Sequence, residues 1–363
     1  MKILDRYILR AFFTNYFIAM FVLIGMYVVL DLFVNLDEFT ETPDEPTTRT
    51  IAKIINFYGY NMFLYFSQLS GTLILAAACF TLGRALRTNE FTAVLASGTS
   101  LYRIAAPICL AALVMNGVWF INQEVVLPSI ADKLARRHDD IEGRRTFGVW
   151  FRPDRDNTLL SASMFSPRSQ EMRGVIAIKR DDRMRMIEVM RADRAVWDED
   201  RQLWILFKGE SMRLEADDDR EALAGLGRTP VATYPSDLSP KELALQQASQ
   251  WTNFISLRHL TRLQKRFPHS TEFVKVKHAR LTTMITNMIM LLLGIPFFLN
   301  RERAPVLVAG GKCLLVCGAC FVTSFLCLSV ELVGVDINPA LPAWIPIFVF
   351  GPIAMILLGE IKT

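Results

Sequence analysis

The sequence has little of what soluble enzymes are built from. Histidine occurs four times in 363 residues, at His138, His259, His269 and His278, and never at the spacing that sets two ligands on one metal. There is no G-x-S-x-G elbow and no H-E-x-x-H helix, so the common serine-hydrolase and metalloprotease arrangements are missing. The nearest approach to a phosphate-binding loop is Gly310-Gly311-Lys312-Cys313. It lacks the upstream glycine and the Ser or Thr after the lysine that hold phosphate and magnesium, and it lies within an apolar run. No acidic residue sits at the centre of a long apolar run, which is a poor basis for a proton-driven transporter. Basic residues are scattered among acids and give no DNA-binding pattern. The expectation is therefore a non-enzyme without cofactor, metal or nucleic acid.

Cysteine offers no covalent framework either. All six fall in apolar runs and none in the polar middle of the chain. Cys313, Cys317 and Cys320 share one helix face. With no His or carboxylate nearby, they read as small apolar residues at a helix contact ahead of the alternative, a metal site.

Apolar sequence is what the chain has in excess. It is 52% apolar, with a mean hydropathy of +0.29. The excess lies in runs of 18 or more residues, long enough to cross a bilayer core of ~30 Å. Spans are expected at about Ala11–Leu36, Ile54–Leu82, Ile104–Leu127, Leu281–Leu299, Val306–Val333 and Ala340–Gly359. Lys2, Arg6 and Arg10 precede the first run, which has no A-x-A-like cleavage site, so it reads as a retained span.

Lys/Arg bias sets the orientation. Arg84, Arg87 and Arg103 place the loop between the second and third spans inside, as Arg301 and Arg303 do for the loop between the fourth and fifth. The loop from Gly334 to Pro339 has no Lys or Arg and faces outward, whereas Arg49 and Lys53 in the first outer loop count mildly against this assignment. The expected fold is a polytopic α-helical membrane protein with six transmembrane helices, 3+3, and an inserted external domain. Both termini are expected to be cytoplasmic.

The expected boundaries are 1–127 for the first three spans, 128–277 for the inserted domain with its helical stalks, and 278–363 for the last three spans. Inside the insert, Thr146–Phe151, Thr158–Ser163, Gly174–Lys179, Arg185–Trp197 and Gln202–Leu214 alternate as strands, predicting a sandwich or barrel. Glu215–Glu221 reads as a loop. From Ser256 the period changes to that of a helix ending at Pro268, and a second helix from about Ser270 runs into the fourth span.

The most informative stretch is Gly83 to Arg103, a polar insert between two apolar runs. Asn89 to Leu95 reads as a short helix: Asn89 can cap it, Glu90 lies in its first turn on the exposed side, and Phe91, Val94 and Leu95 form one apolar face. Ser97-Gly98 stops it. Such a helix either docks into a partner's groove or is a capped re-entry turn joining two spans.

This stretch, with Leu82-Gly83-Arg84, then Glu90, then Ala96-Ser97-Gly98, resembles the cytoplasmic coupling helix of the lipopolysaccharide-export permeases of the LptF/LptG (YjgP/YjgQ) family. Other similar runs follow in order: Leu4–Ile8, which looks like the LptG-type branch; Ser256–Phe267; His278–Leu281; Leu293–Pro296; and Ile337–Pro346. The resemblance implies a permease subunit of an ABC-type lipid exporter of the inner membrane, with a periplasmic β-jellyroll-like domain. Its implied partners are a cytoplasmic ABC ATPase dimer, a second permease of the family, a periplasmic bridge protein and the lipid. Arg84, Arg87, Glu90, Phe91 and Leu95 become candidates for ATPase docking. Asp31, Glu124 and Glu331 are candidates for an outward-facing polar cavity, or equally for interfacial positions. Lys133, Arg136, Arg137, Lys277 and Arg280 are candidates for meeting an anionic lipid, or for snorkelling to the interface. Members of the LptG-type branch often carry lysines near the outer end of the first span; here that region is acidic, from Asp31 to Glu45. The alternative function is a membrane-anchored scaffold whose external domain binds envelope partners.

Overall fold

A computed structural model of the chain describes residues 3–37, 47–134, 146–181, 183, 185–213, 228–245, 251–266, 271–299, 305–329 and 338–359. It separates into two compact units: the helices up to Ile130 and from Thr252 onward, and the segment Ala131–Trp251. The expected loop at Glu215–Glu221 and the helix stop at Pro268 lie outside the described residues.

In the first unit, α1 is Ile3–Val34, α2 is Thr47–Arg87, α3 is Glu90–Ala96 and α4 is Tyr102–Ser129. The second unit holds two short helices, α5 (Ala131–Leu134) and α6 (Pro240–Leu245), flanking the strands. The first unit resumes with α7 (Leu257–Arg266), α8 (Thr271–Phe298), α9 (Val306–Ser329) and α10 (Leu341–Gly359). Six of the described helices, α1, α2, α4, α8, α9 and α10, are long and apolar enough to cross a membrane. Several run past the apolar core predicted from sequence, because polar turns such as Thr48–Lys53 continue the same hydrogen-bond ladder beyond the bilayer-length run.

Burial separates protein-facing from lipid-facing sides. α1 hides a single stripe, Ile8, Phe12, Tyr16, Ala19 and Ile24, and leaves Phe21 and Phe33 more than four-fifths exposed. In the core they share with α8, α2 buries Ala77 and Ala78 and α4 buries Ala111 and Ala112, small residues that let helix backbones approach closely where the hydrophobic effect gives no preference for protein over lipid. A neutral polar knot sits in this contact. Asn287 Nδ2 donates to Ser70 Oγ at 3.2 Å and to Asn116 Oδ1 at 3.0 Å, and all three residues are buried. Gly71 makes the knot possible, since a Cβ there would run into Asn287 Oδ1. Gly71→Ala is therefore expected to lower stability by about 1–3 kcal/mol, the usual cost of overpacking. Thermal unfolding of the purified protein in detergent checks it, and an unchanged midpoint would show that Asn287 has another place to go.

The insert is one eight-stranded antiparallel sheet in the order β1-β2-β3-β4-β5-β8, with β6 on β4 and β7 on β6. The strands are β1 (Phe147–Asp154), β2 (Thr158–Ser166), β3 (Glu171–Arg180), β4 (Met186–Asp198), β5 (Leu203–Phe207), β6 (Glu210–Arg213), β7 (Thr229–Pro230) and β8 (Thr233–Tyr234). Asp156 and Asn157 turn β1 into β2 with φ of 54° and 56°, a left-handed pair that Asp and Asn tolerate and that matches strand twist. The sheet forks at β4, whose second edge carries β5 beside Arg194–Asp198 and β6 beside Glu188–Arg191. The single strand expected over Gln202–Leu214 is therefore two. The break is at Lys208-Gly209, where φ is 51° at Lys208 and a Cβ on Gly209 would strike the Val231 carbonyl. The buried face gathers on Trp204, which packs edge-on to Trp197 at 5.1 Å and donates its indole N–H to Leu238 O at 3.1 Å.

Among the described residues of this unit, one carboxylate is wholly inside. Asp154, 1% exposed, accepts hydrogen bonds from Tyr234 Oη at 2.8 Å, from the Ser236 hydroxyl, from Asp237 N at 3.0 Å and from Arg155 N at 2.7 Å. It ties the end of β1 to β8 and the turn after it. Burial pushes the Tyr234 phenol above its ordinary range, and the negative charge of Asp154 adds to the shift. A raised folded-state value means this contribution to stability is whole below the unfolded tyrosine pKa of about 10 and is lost as pH climbs above it. The expected result is that the sheet unit weakens above pH ~10, and that Tyr234→Phe flattens that slope whatever it costs at neutral pH. Tryptophan fluorescence during alkaline unfolding, to which Trp197 and Trp204 contribute beside four other tryptophans, measures both.

Candidate functional site

The short helix α3 exists because α2 ends sharply. Asn89 has φ 55° and ψ 25°, a left-handed residue that reverses the chain, and its side chain makes no capping bond. The cap expected there is thus replaced by a turn in which Asn89 O receives the Thr92 N–H. At the other end, Ser97 Oγ donates to Val94 O at 2.7 Å, Gly98 N donates to Leu95 O at 2.9 Å, and Gly98 takes φ +76°, which is the expected stop.

Glu90 is half-buried at the rim of the helix, where Oε1 accepts from Tyr7 Oη of α1 at 3.1 Å and lies 2.8 Å from the Thr88 hydroxyl, both contacts at the surface. The reason is geometric, since the first turn of α3 sits against the first turns of α1. Phe91 is buried and Leu95 half-buried, so the apolar face is used by the protein's own core beside Ile8, Leu82 and Ile104. What α3 presents outward is Thr92, Ala93 and Ala96, flanked by exposed Arg84 and Arg87. Above this site Asn15 Nδ2 donates to Thr81 Oγ1 at 2.9 Å, and Tyr102 Oη donates to Leu358 O at 2.7 Å. α3 is thereby seated on a platform that joins α1, α2, α4 and α10.

The charged candidates near the far ends of the spans are engaged with the protein itself. Asp31 accepts from Tyr58 Oη at 2.8 Å and from Asn35 Nδ2 at 3.2 Å. Glu124 and Arg280, distant in sequence, form an ion pair at 3.3 Å with side chains 15% and 7% exposed. Arg280 also donates to the carbonyls of Thr252, Asn253 and Ile255, and Glu124 Oε2 receives the Leu257 N–H at 2.8 Å. This cluster fastens the segment before α7 to α4 and α8. Lys277 Nζ donates to Gln264 Oε1 at 3.3 Å, and Lys133 lies half-buried in α5. Arg136, Arg137 and Glu331 lie outside the described residues.

Glu124 reaches its partners because α4 widens into a π-turn at Asn122–Val126. Three successive side chains of that turn grip four residues of neighbouring segments. Asn122 Nδ2 donates to Phe63 O at 3.0 Å, Gln123 accepts from Ser67 Oγ at 2.6 Å and donates to Asn253 O at 2.8 Å, and Glu124 meets Arg280. Sequence reasoning did not single out Asn122, Gln123, Ser67, Asn116 or Asn287. The available signal was that uncharged amides inside apolar runs still need hydrogen-bond partners.

No curated protein matches the chain. Against family descriptions, the match is to lipopolysaccharide export system permease LptF/LptG, over residues 6–360. Six membrane-length helices, an antiparallel sheet inserted between the third and fourth of them, and a match over nearly the whole chain lead to one conclusion: the chain belongs to the LptF/LptG family of lipopolysaccharide export permeases, multi-pass proteins of the inner membrane.

Proposed function

We propose that the chain is the membrane subunit of an ABC-type exporter that takes lipopolysaccharide, or a related lipid, from the inner membrane and passes it to a periplasmic bridge protein. The energy comes from a separate cytoplasmic ATPase dimer. In this reading residues 1–127 and 278–363 form the permease core, 128–277 lie on the periplasmic side, and both termini are cytoplasmic. A second permease of the family, a paralogue or another copy, completes the pair. The opening run Leu4–Ile8 supports the LptG-type member.

The observation that carries the proposal is the seating of α3. A seven-residue helix with an exposed face of small residues, bordered by Arg84 and Arg87, is anchored from behind by Phe91 and the Tyr7–Glu90–Thr88 contacts. A push on that face is delivered to α1, α2 and α4 together, which is what power transfer from a soluble motor requires. The docking roles of the five candidates then divide. Arg84 and Arg87 face the motor, while Glu90, Phe91 and Leu95 hold the helix in place for it.

The test is purification of the tagged full-length chain in mild detergent, with identification of the retained proteins by mass spectrometry. An ABC ATPase and a second six-span permease are expected. Recovery of the chain alone, or with periplasmic proteins only, would overturn the exporter reading in favour of the scaffold.

A further inference from the structure

The interior of the helical unit contains a cluster of free thiols that the transport reading does not use. Cys79 of α2 and Cys313 of α9 have their sulfurs 3.5 Å apart, although 234 positions separate them in sequence. Cys317, one turn along α9, lies 3.9 Å from Cys313 and donates its S–H to Met290 O at 3.4 Å. Room for these sulfurs comes from Gly294 of α8, where a Cβ would stand 3.1 Å from Cys313 Sγ and 2.7 Å from Leu75 Cδ1. Among the described residues the cluster does not complete a metal-binding set.

We propose that Cys79 and Cys313 are an oxidation-sensitive pair that forms a disulfide between α2 and α9 when an uncharged, membrane-soluble organic hydroperoxide reaches them. The geometry selects this pair. Their sulfurs are the closest of the three, and a contraction of about 1.5 Å brings them to the S–S bond length of about 2.05 Å. Cys317 is held back by the Met290 carbonyl and shares a helix with Cys313.

The chemistry balances without a further reactant. One thiol sulfur attacks the terminal peroxide oxygen, the O–O bond breaks, and the hydroperoxide leaves as its alcohol with the proton, giving a sulfenic acid. The second thiol attacks that sulfur, the S–S bond forms, and water leaves. Two thiols lose two electrons in total, and the hydroperoxide gains them.

The surroundings decide which reagents take part. Cys313 and Cys317 are each 2% exposed among apolar side chains of membrane-length helices. A charged oxidant must desolvate to arrive, and so must a charged reductant such as glutathione. Cys79 is half-buried, so an uncharged reagent dissolved in the lipid meets the pair at its sulfur, and the bond persists where a charged reductant is kept out. Once formed, it fixes α2, which leads into the α3 platform, to α9. Any step of the cycle that needs those two helices to separate then stops.

The experiment uses the full-length chain with its co-purifying partners in lipid nanodiscs, treated with cumene hydroperoxide and digested without reduction. The expected product is a peptide pair joining Cys79 to Cys313. Its mass is two hydrogens below the sum of the two peptides, it is reversed by dithiothreitol, present in Cys317→Ser, and absent in Cys79→Ser and Cys313→Ser. Unlinked peptides, sulfinic acid at Cys313, or a Cys313–Cys317 bond with Cys79 free would each overturn the proposal. Loss of ATP-driven lipid release on oxidation, spared in Cys79→Ser, is the expected functional consequence. A linked protein that has no ATPase partner would leave the thiol pair standing and sink the exporter reading instead.

Discussion

On the proposed exporter reading, Ala93→Arg should abolish capture of a cytoplasmic ATPase, and with it export, while leaving the protein inserted and folded. Ala93 is on the outward face of α3, between Thr92 and Ala96; its carbonyl accepts the Ser97 N–H, and its exposed side chain has no part in the hydrogen bonds that seat the helix. A long charged side chain at the centre of a small-residue docking face must be accommodated by the partner or desolvated. Disrupting the centre of an interface costs about 2–4 kcal/mol, a loss of roughly thirtyfold to a thousandfold in affinity. Glu90→Arg is a less clean test, because Glu90 receives the Tyr7 hydroxyl and lies against Thr88. Reversal of its charge would tilt α3 as well as alter its surface. Co-purified ATPase per permease, measured by quantitative mass spectrometry, separates the two cases. ATPase retained by Ala93→Arg at the wild-type level would exclude this face as the docking surface. Glu90→Gln, which keeps an acceptor for Tyr7, should fall between wild type and Ala93→Arg.

The second large effect is expected at Arg280. Arg280→Met removes the partner of Glu124 and the donors to the carbonyls of Thr252, Asn253 and Ile255. What remains is a carboxylate 15% exposed, with the Leu257 N–H as its contact. Breaking a buried ion pair from one side costs about 3–5 kcal/mol, mostly from the charge left behind. Arg280→Met should therefore lower the apparent unfolding midpoint strongly and expose the segment before α7 to protease. The double variant Glu124→Gln/Arg280→Met should be more stable than Arg280→Met alone, since no charge is stranded. If the double variant is the weaker of the two, the carboxylate of Glu124 is not stranded without Arg280, and its bond from the Leu257 N–H holds the segment by itself.

Much of the fold was legible because a bilayer imposes a length. Runs of apolar residues long enough to cross it could only be helices, and α1, α2, α4, α8, α9 and α10 follow them. Alternation carried most of the sheet, but the fork at β4 was hidden. The run from Gln202 to Leu214 holds apolar residues on both sides of Lys208-Gly209, and the Val231 carbonyl packed against Gly209 marks the break. Strands of two residues, β7 and β8, carry too little periodicity to be read.

The site was legible in part. The spacing of Phe91, Val94 and Leu95 announced the helix and its inner face. The direction of Glu90 was not readable, because Tyr7 lies 83 positions earlier in the chain. Glu124 and Arg280 were each noticed as charges near the membrane, yet their pairing spans 156 positions and includes backbone carbonyls that no side-chain pattern records. The cysteine face was read from α9 alone; Cys79 on α2 completes it.

The widened turn at Asn122–Val126 has a consequence for how this protein can change length. In a regular α-helix, deleting one residue swings everything beyond it by about 100°, so a membrane span seldom survives the loss. A π-turn is a single-residue surplus already absorbed, with both flanks in phase. Removing Val125, which is 62% exposed, would let α4 close into an unbroken α-helix while Trp119 before it and Leu127 after it keep their facing. The damage would be confined to the grips of Asn122, Gln123 and Glu124. Among the single-residue deletions open to this span, that one should be the mildest, and a deletion at Met115 or Leu113 should unfold it.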